Sequence, residues 1–479
     1  MKREQHVIGV RSDARRDFGC LCLLDDIVII PVLQDAKLTG LLPTRGVEGS
    51  GSPKNMSQSV IRMTYRIETS GDVAALAAKI ASDQSTGTFV ATPGETPELK
   101  ARVGARVVDV RRLEPVSTPS FPEANPGARG PYSCGEADIE FPLDAIGTDL
   151  AALTTIAIGG VFSIKGFSGI RVVDMKLPPE FGQAHPGPQF GIDGSRALTG
   201  VIQRPIIGSI VKPALGLRPP ETAELVRELV EADVDFIKDD EKLMSPAYSN
   251  LADRVKSIMP IILDREQKVG KKVMYAFGIS HADPEVMLRN HDIVANAGGN
   301  AAVININSIG YGGFSYLRKR SRLVLHAHRN GWDILTRHAG LGLDFRVYQQ
   351  FWRLLGVDQF QINGIRAKYW EPDDSFVRSF EALRAPLFSL SDRPLPVAGS
   401  GQWGGQAPET FARTGRTQDL LYLCGGGVVS HPGGPASGVR AVRQAWEAAV
   451  AGIPLEVYAR DHRELAQSIA KFGGAKNDA

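Results

Sequence analysis

After Pro186 the sequence settles into a regular alternation that leaves few architectures open. Short apolar runs recur at 206–212 (IIGSIVK), 235–241 (DFIKDDE), 272–279 (KVMYAFGI) and 301–307 (AAVININ). Four more follow at 323–329 (LVLHAHR), 359–364 (QFQING), 395–401 (LPVAGSG) and 420–427 (LLYLCGGG). Helical stretches such as ETAELVRELVEAD and DFRVYQQFWRLLG lie between most of them. Eight strand–helix units in about 240 residues is the arithmetic of a closed (β/α)8 barrel. A doubly wound sheet also alternates but rarely reaches eight such regular units, so residues 186–479 are expected to form a barrel with a helical tail.

The preceding residues follow a different pattern. Segments with strand-like alternation (VIRMTYRIET, ARVVDVRRLE, ADIEFPL) surround a helix-like DVAALAAKIASDQ, which predicts a smaller α+β domain, ferredoxin-like, over 58–185. Residues 1–57 carry the Gly/Ser/Pro-rich RGVEGSGSPKN at 45–55 and are expected to be an extension and linker, either disordered or upstream of a true start at Met56. The most apolar stretch there, CLCLLDDIVIIPVL, carries Asp25 and Asp26 and is too short and too charged to span a membrane. A net charge of +2 gives no reason to expect nucleic acid as a partner, and no membrane partner is expected. Cys20, Cys22, Cys134 and Cys424 form no disulfide framework or CxxC pair, which predicts a reducing, cytoplasmic setting.

In a barrel, chemistry gathers where strands end and the following loops begin. Polar residues crowd those ends: Lys212 after the first run, Lys238, Asp240 and Glu241 in the second, Asn307 in the fourth, His328 and Arg329 in the fifth. Asn363, Ser400 and the triple glycine Gly425, Gly426 and Gly427 close the sixth, seventh and eighth. Strand alternation puts Lys238 and Asp240 on one face, with Glu241 at the exit. Two carboxylates there are hard oxygen ligands suited to Mg²⁺, the expected cofactor. A lysine ammonium beside them would repel the metal, whereas a carbamate formed from that lysine and CO₂ would add a third anionic oxygen. His326 and His328 share a face, so one of them can be a purely structural, hydrogen-bonded barrel histidine.

These motifs resemble the RuBisCO large-subunit superfamily over about residues 58–465. GSIVKPALGL (208–217) is similar to the family's first-strand motif, with Lys212 as catalytic lysine. DFIKDDE is similar to its metal signature, which makes Lys238 the carbamate and Asp240 and Glu241 the other ligands. LHAHR matches at His328 and Arg329, and NGIRAKYWE places Lys368 at the mobile sixth loop. STGTF puts Thr88 and Phe89 at a neighbouring subunit's site, implying a homodimer, or an assembly of dimers, with shared active sites. GGGVVSHPGG resembles the phosphate-binding turn, so Thr88, Lys368, Gly401, Gly425 and Gly426 are expected to hold one phosphate.

Departures from the family narrow the expectation. Ala214 stands where carboxylases have a second lysine, Asp83 replaces a glutamate and Gly160 an asparagine. At the other phosphate position Gln361 and Gly399 replace a histidine and a serine, although Arg329 remains. The resemblance is therefore to a RuBisCO-like, form IV type protein rather than a CO₂-fixing carboxylase. It implies an Mg²⁺-dependent enzyme acting through an enolate on a mono-phosphorylated sugar acid. The leading expectation is decarboxylation or hydrolytic carboxyl transfer of a substrate like 3-oxo-isoapionate 4-phosphate. The alternatives are a 5-methylthioribulose 1-phosphate isomerase or related enolase, and a non-catalytic binding protein.

Overall fold

The computed structural model describes residues 58–124 and 126–474, so the expectations for 1–57 fall outside it. Strands β1 (Val60–Thr69), β2 (Arg106–Val116), β3 (Tyr132–Pro142) and β4 (Gly169–Lys176) form an antiparallel sheet in the order β4-β1-β3-β2. Alternation along β1 sorts its side chains by face. Ile61, Met63, Tyr65 and Ile67 are fully buried, while Arg62 and Arg66 pair with Glu140 and Glu136 on β3 at 2.6 and 2.8 Å. The helix Val73–Asp83 begins at Asp72, whose carboxylate accepts from the Ala75 N–H at 3.2 Å, and turns Val73, Ala77 and Ile80 toward the sheet's apolar face. With a helix after β1 and another after β3, this is the ferredoxin-like arrangement.

The second layer is the barrel. Its strands are β5 (Ile206–Ile210), β6 (Phe236–Lys238), β7 (Met274–Gly278), β8 (Ala301–Asn305) and β9 (Val324–His328). A short strand, β10 (Leu341–Leu343), then leaves the barrel and pairs in parallel with β4, joining the barrel's chain to the first sheet. β11 (Gln359–Gln361), β12 (Leu395–Ala398) and β13 (Leu421–Cys424) return to the barrel, and β13 closes on β5 with Leu421 opposite Ile206. Each of the eight apolar runs holds one barrel strand.

Every barrel strand except β7 and β9 stops at least two residues before its run ends, and those two stop one short. In DFIKDDE only Phe236, Ile237 and Lys238 are in the ladder. The polar residues beyond are thus released from pleated pairing and can turn toward one another at the mouth. Inside the barrel Ile210, Phe236, Met274, Val303, Val397 and Leu423 fill the lumen, whereas their neighbours Ile237, Tyr275 and Phe277 face the surrounding helices. Among the described residues, no helix is long and apolar enough to cross a membrane.

Candidate active site

The run Lys238–Glu241 divides by parity. Lys238 faces the lumen with no solvent exposure. Asp239 points the other way, into the wall, where it accepts from the Tyr275 hydroxyl at 2.7 Å and the Gly278 N–H at 2.9 Å. The Arg254 guanidinium lies 3.3 Å from it, and both partners are fully buried. Asp240 returns inward and forms an ion pair with Lys212, on the loop after β5. Asp239 is therefore a structural acid and Asp240 a site-facing one.

Lys238 Nζ donates to the Asp239 carbonyl at 2.9 Å and lies 3.5 Å from Glu241 Oε2. Burial pulls its pKa below the usual lysine range, although Glu241 and Asp240 pull the other way. Burial also opposes ionisation of Glu241, but Lys238, the backbone N–H and Lys212 outweigh it and hold that carboxyl below its ordinary range. A lysine of lowered pKa spends more time as the free amine, the form that takes up CO₂.

The two histidines of β9 separate into different roles. His326 stacks on Phe236 at 5.3 Å and meets Gln359 at 3.0 Å and Gln361 at 3.4 Å. Burial, with the Lys238 charge, lowers its pKa to about 4. It is the structural histidine of the pair. His328, one layer higher, is pushed well below 6.5 by burial and by the charges of Lys238, His326 and Arg329. Its Nδ1 accepts from the Asn330 N–H at 3.2 Å, so the neutral ring carries its proton on Nε2, 3.5 Å from Glu241 Oε2.

Lys212, Glu241, His328, Gln361, Lys368, Gly401, Gly425 and Gly426 together line a cavity of about 350 Å³ at the strand ends. Gly401 adopts φ +86°, a region that favours glycine, and a Cβ there would lie 3.2 Å from the Lys368 side chain. A Cβ on Gly425 would lie 3.2 Å from Lys212 Cε. Both glycines thus let a lysine lie close over the backbone. After β13 the chain enters a helical turn, Gly426–Val429, whose opening N–H groups have no earlier turn to pair with.

Other expected site residues stand elsewhere. Arg329 does not line the cavity; alternation after the inward-facing His328 turns it outward, and it pairs with Glu371 at 2.9 Å. Gly399 borders Gln361, with a Cβ there falling 3.3 Å from its amide nitrogen, but is not part of the cavity wall. Thr88 and Phe89 are exposed on the first domain, Phe89 at 95%, and do not reach this chain's own cavity. Gln402 is buried against Ile365 and Tyr422, and Trp403 packs on Phe472 at 5.6 Å.

Asn307 lies in the helix after β8, where it donates to the Arg329 and Asn330 carbonyls at 3.2 and 2.9 Å. The last residue of β8 is Asn305, which donates to the Glu241 carbonyl at 2.7 Å. The sequence signal for Asn305 was present in NIN, where parity alone could not say which asparagine faced inward. Phe472, at the end of the helix Arg463–Phe472, also lines the cavity, and no local sequence signal marks it.

Among the described residues, no three His, Cys, Asp or Glu side chains are arranged to hold a metal. Asp240 and Glu241 supply two hard oxygens, and each already faces a lysine ammonium. The residues fit a divalent ion once Lys238 becomes a carbamate, which removes one cation and adds an anionic oxygen.

Residues 191–472 match the family model for the ribulose bisphosphate carboxylase large chain, catalytic domain, and residues 55–181 match its N-terminal domain. A 3-oxo-isoapionate-4-phosphate decarboxylase of Rhizobium etli is 74% identical over 417 residues, covering 87% of this chain and 100% of that protein. A 3-oxo-isoapionate-4-phosphate transcarboxylase/hydrolase of Xanthobacter autotrophicus is 43% identical, covering 82% of this chain and 94% of its own. The crystal structure of a rubisco-like protein from Burkholderia fungorum aligns with TM-score 0.80 at 38% identity, over 87% of this chain and 100% of that one.

Proposed function

The chain belongs to the ribulose bisphosphate carboxylase large-chain family, and from that premise we propose that it decarboxylates a mono-phosphorylated 3-oxo sugar acid, 3-oxo-isoapionate 4-phosphate or a near relative. The observation that carries this reading is the meeting of Lys212, Lys238, Asp240, Glu241 and His328 at one barrel mouth, in a chain 74% identical to a protein named for that reaction.

Asp240, Glu241 and carbamylated Lys238 would hold Mg²⁺, which when bound supplies positive charge beside the substrate's carbonyl oxygen. The chain's own residues do the rest. In a 3-oxo acid the bond between the carboxyl carbon and its neighbour breaks, CO₂ leaves, and the electron pair passes into an enolate. His328, neutral at pH 7, stabilises that enolate as a hydrogen-bond donor through Nε2–H rather than as an acid. Lys212, at the cavity wall, would return a proton to the carbon that lost the carboxyl group. Lys368 and the backbone at Gly401, Gly425 and Gly426 offer the phosphate end of the cavity.

The test supplies purified protein with 3-oxo-isoapionate 4-phosphate and Mg²⁺ and follows CO₂ release. Stoichiometric CO₂ and the decarboxylated ketose phosphate support the reading. No CO₂, with isomerisation of 5-methylthioribulose 1-phosphate by the same preparation, overturns it. Release of the carboxyl group directly as bicarbonate would instead favour the hydrolytic route named for the Xanthobacter relative.

A further inference from the structure

A chain of three side chains below the cavity fixes the hydrogen-bonding sense of its wall. Gln359, on β11, turns its Nε2 to Ser195 Oγ at 3.1 Å and to Met274 Sδ at 3.2 Å. A thioether sulfur accepts and cannot donate, so the amide atom facing it is the nitrogen. The Gln359 oxygen therefore meets His326 Nδ1, at 3.0 Å, and can only accept. His326 is fully buried with no carboxylate among its hydrogen-bond partners, and its ring is neutral at pH 7. The neutral ring has one proton, and Gln359 takes it. Nε2 is left as a bare acceptor.

Two residues further along β11, the Gln361 carboxamide stands 3.4 Å from that Nε2. With its oxygen there, as the structure places it, two lone pairs face each other and no hydrogen bond forms. A half-turn of the carboxamide leaves the heavy atoms in nearly the same positions and brings an N–H onto Nε2. The oxygen then takes the other position, which has no protein partner among the described residues. That position borders Gly399, where a Cβ would lie 3.3 Å away, and glycine has no side chain to cover it. Gln361 lines the cavity, so its oxygen opens onto the substrate's space.

The other polar side chains of the wall are mostly donors. Lys212 and Lys368 donate, and His328 offers Nε2–H because its Nδ1 accepts from Asn330. Glu241 accepts but is expected at the metal. We propose that Gln361 is a specificity-determining residue whose carbonyl oxygen, oriented by His326 as a positioning residue, accepts a hydroxyl of the substrate. This rests on the decarboxylase reading and names the group of the sugar acid that this part of the wall recognises. A carboxylate or phosphate dianion brings only lone pairs to that oxygen and is turned away, whereas a hydroxyl is held.

Two measurements test this. In protein labelled with ¹⁵N at histidine, the His326 signals are assigned by their loss in His326→Asn. The expected ring is protonated on Nδ1 and bare on Nε2; a ring protonated on Nε2 overturns the inference and leaves the decarboxylase reading standing. In turnover, 3-oxo-isoapionate 4-phosphate is compared with analogues that lack each hydroxyl in turn. For one analogue the parent-to-analogue ratio of kcat/KM should be about ten- to a hundredfold larger in the wild type than in Gln361→Met, the scale of a buried acceptor left unpaired. Gln361→Glu, whose carboxylate can only accept, should keep the wild-type ratio even where its rate falls. Equal ratios in the wild type and Gln361→Met for every analogue, or a ratio lost in Gln361→Glu, overturn the role of Gln361. Should Gln361→Met not fold, Gln361→Glu and the histidine spectrum still decide. A wild type that does not decarboxylate the parent overturns the earlier reading, and this inference with it.

Discussion

Lys238 Nζ and Glu241 Oε2 stand 3.5 Å apart at a position where the lysine has no contact with solvent. A buried ammonium with one loose ionic partner is costly, and the cost is relieved if the amine loses its proton and takes up CO₂. Incubation with ¹³CO₂ and Mg²⁺ should give a carbamate carbon resonance in the wild type that Lys238→Arg lacks. Lys238→Ala should keep the fold and lose about 10²–10⁴-fold in turnover, the scale of a positioned acid–base group. Wild-type turnover in Lys238→Ala would refute the carbamate role.

Adjacent acids should fail in opposite ways. Asp239 is locked to Arg254, Tyr275 and Gly278 in the barrel wall, so Asp239→Ala strands a fully buried guanidinium and should cost about 3–5 kcal/mol of stability. Asp240 faces Lys212, whose side chain is 32% exposed and can rehydrate, so Asp240→Ala should leave the melting temperature nearly unchanged. Its loss should appear in turnover. Thermal denaturation and CO₂ release, measured on both variants, check the contrast, and a similar melting temperature for the two would contradict it.

Much of this was legible from the sequence, and the residues show where legibility ended. Eight apolar runs marked the barrel because each strand is buried on both faces and is therefore mostly apolar. Parity within DFIKDDE separated Lys238 and Asp240 from Asp239. Parity failed where β8 ends, since Asn305 rather than Asn307 faces inward, but it held past β9, where the residue after the inward His328, Arg329, turns out. Its partner Glu371 is 42 residues away, and Phe472 reaches the cavity from the last described helix. Contacts across such separations leave no periodic trace.

The buried histidine of β9 makes stability depend on pH. His326 has its pKa lowered to about 4 by burial, so below 6.5 the unfolded chain binds a proton that the folded chain refuses. Stability is therefore full above about pH 6.5 and falls as pH drops toward 4, by roughly 2 kcal/mol at pH 5 from this group. His328 adds in the same direction. The melting temperature should fall less between pH 7 and pH 5 in His326→Asn than in the wild type. An identical fall in both would mean that His326 is protonated in the folded barrel.

Assembly supplies the last test. Thr88 and Phe89 are exposed on the first domain and absent from this chain's own cavity wall, yet the family resemblance places them at a neighbouring subunit's active site. Asp83 and Gly160, two positions where the chain departs from the family, line one groove of about 610 Å³ on that same domain. A second copy, related by a twofold axis, would bring that surface over the barrel mouth of its partner, and the partner would do the same in return. Two inactive variants, Thr88→Glu and Lys238→Ala, are mixed after dissociation and reassociation. In each hybrid dimer one site combines Lys238 of one chain with Thr88 of the other, both unaltered, and the second site carries both defects. Activity should therefore return, from one intact site in each hybrid. If subunit exchange is demonstrated by mass and activity stays absent, Thr88 and Lys238 serve the same chain's site, and the shared-site arrangement is wrong.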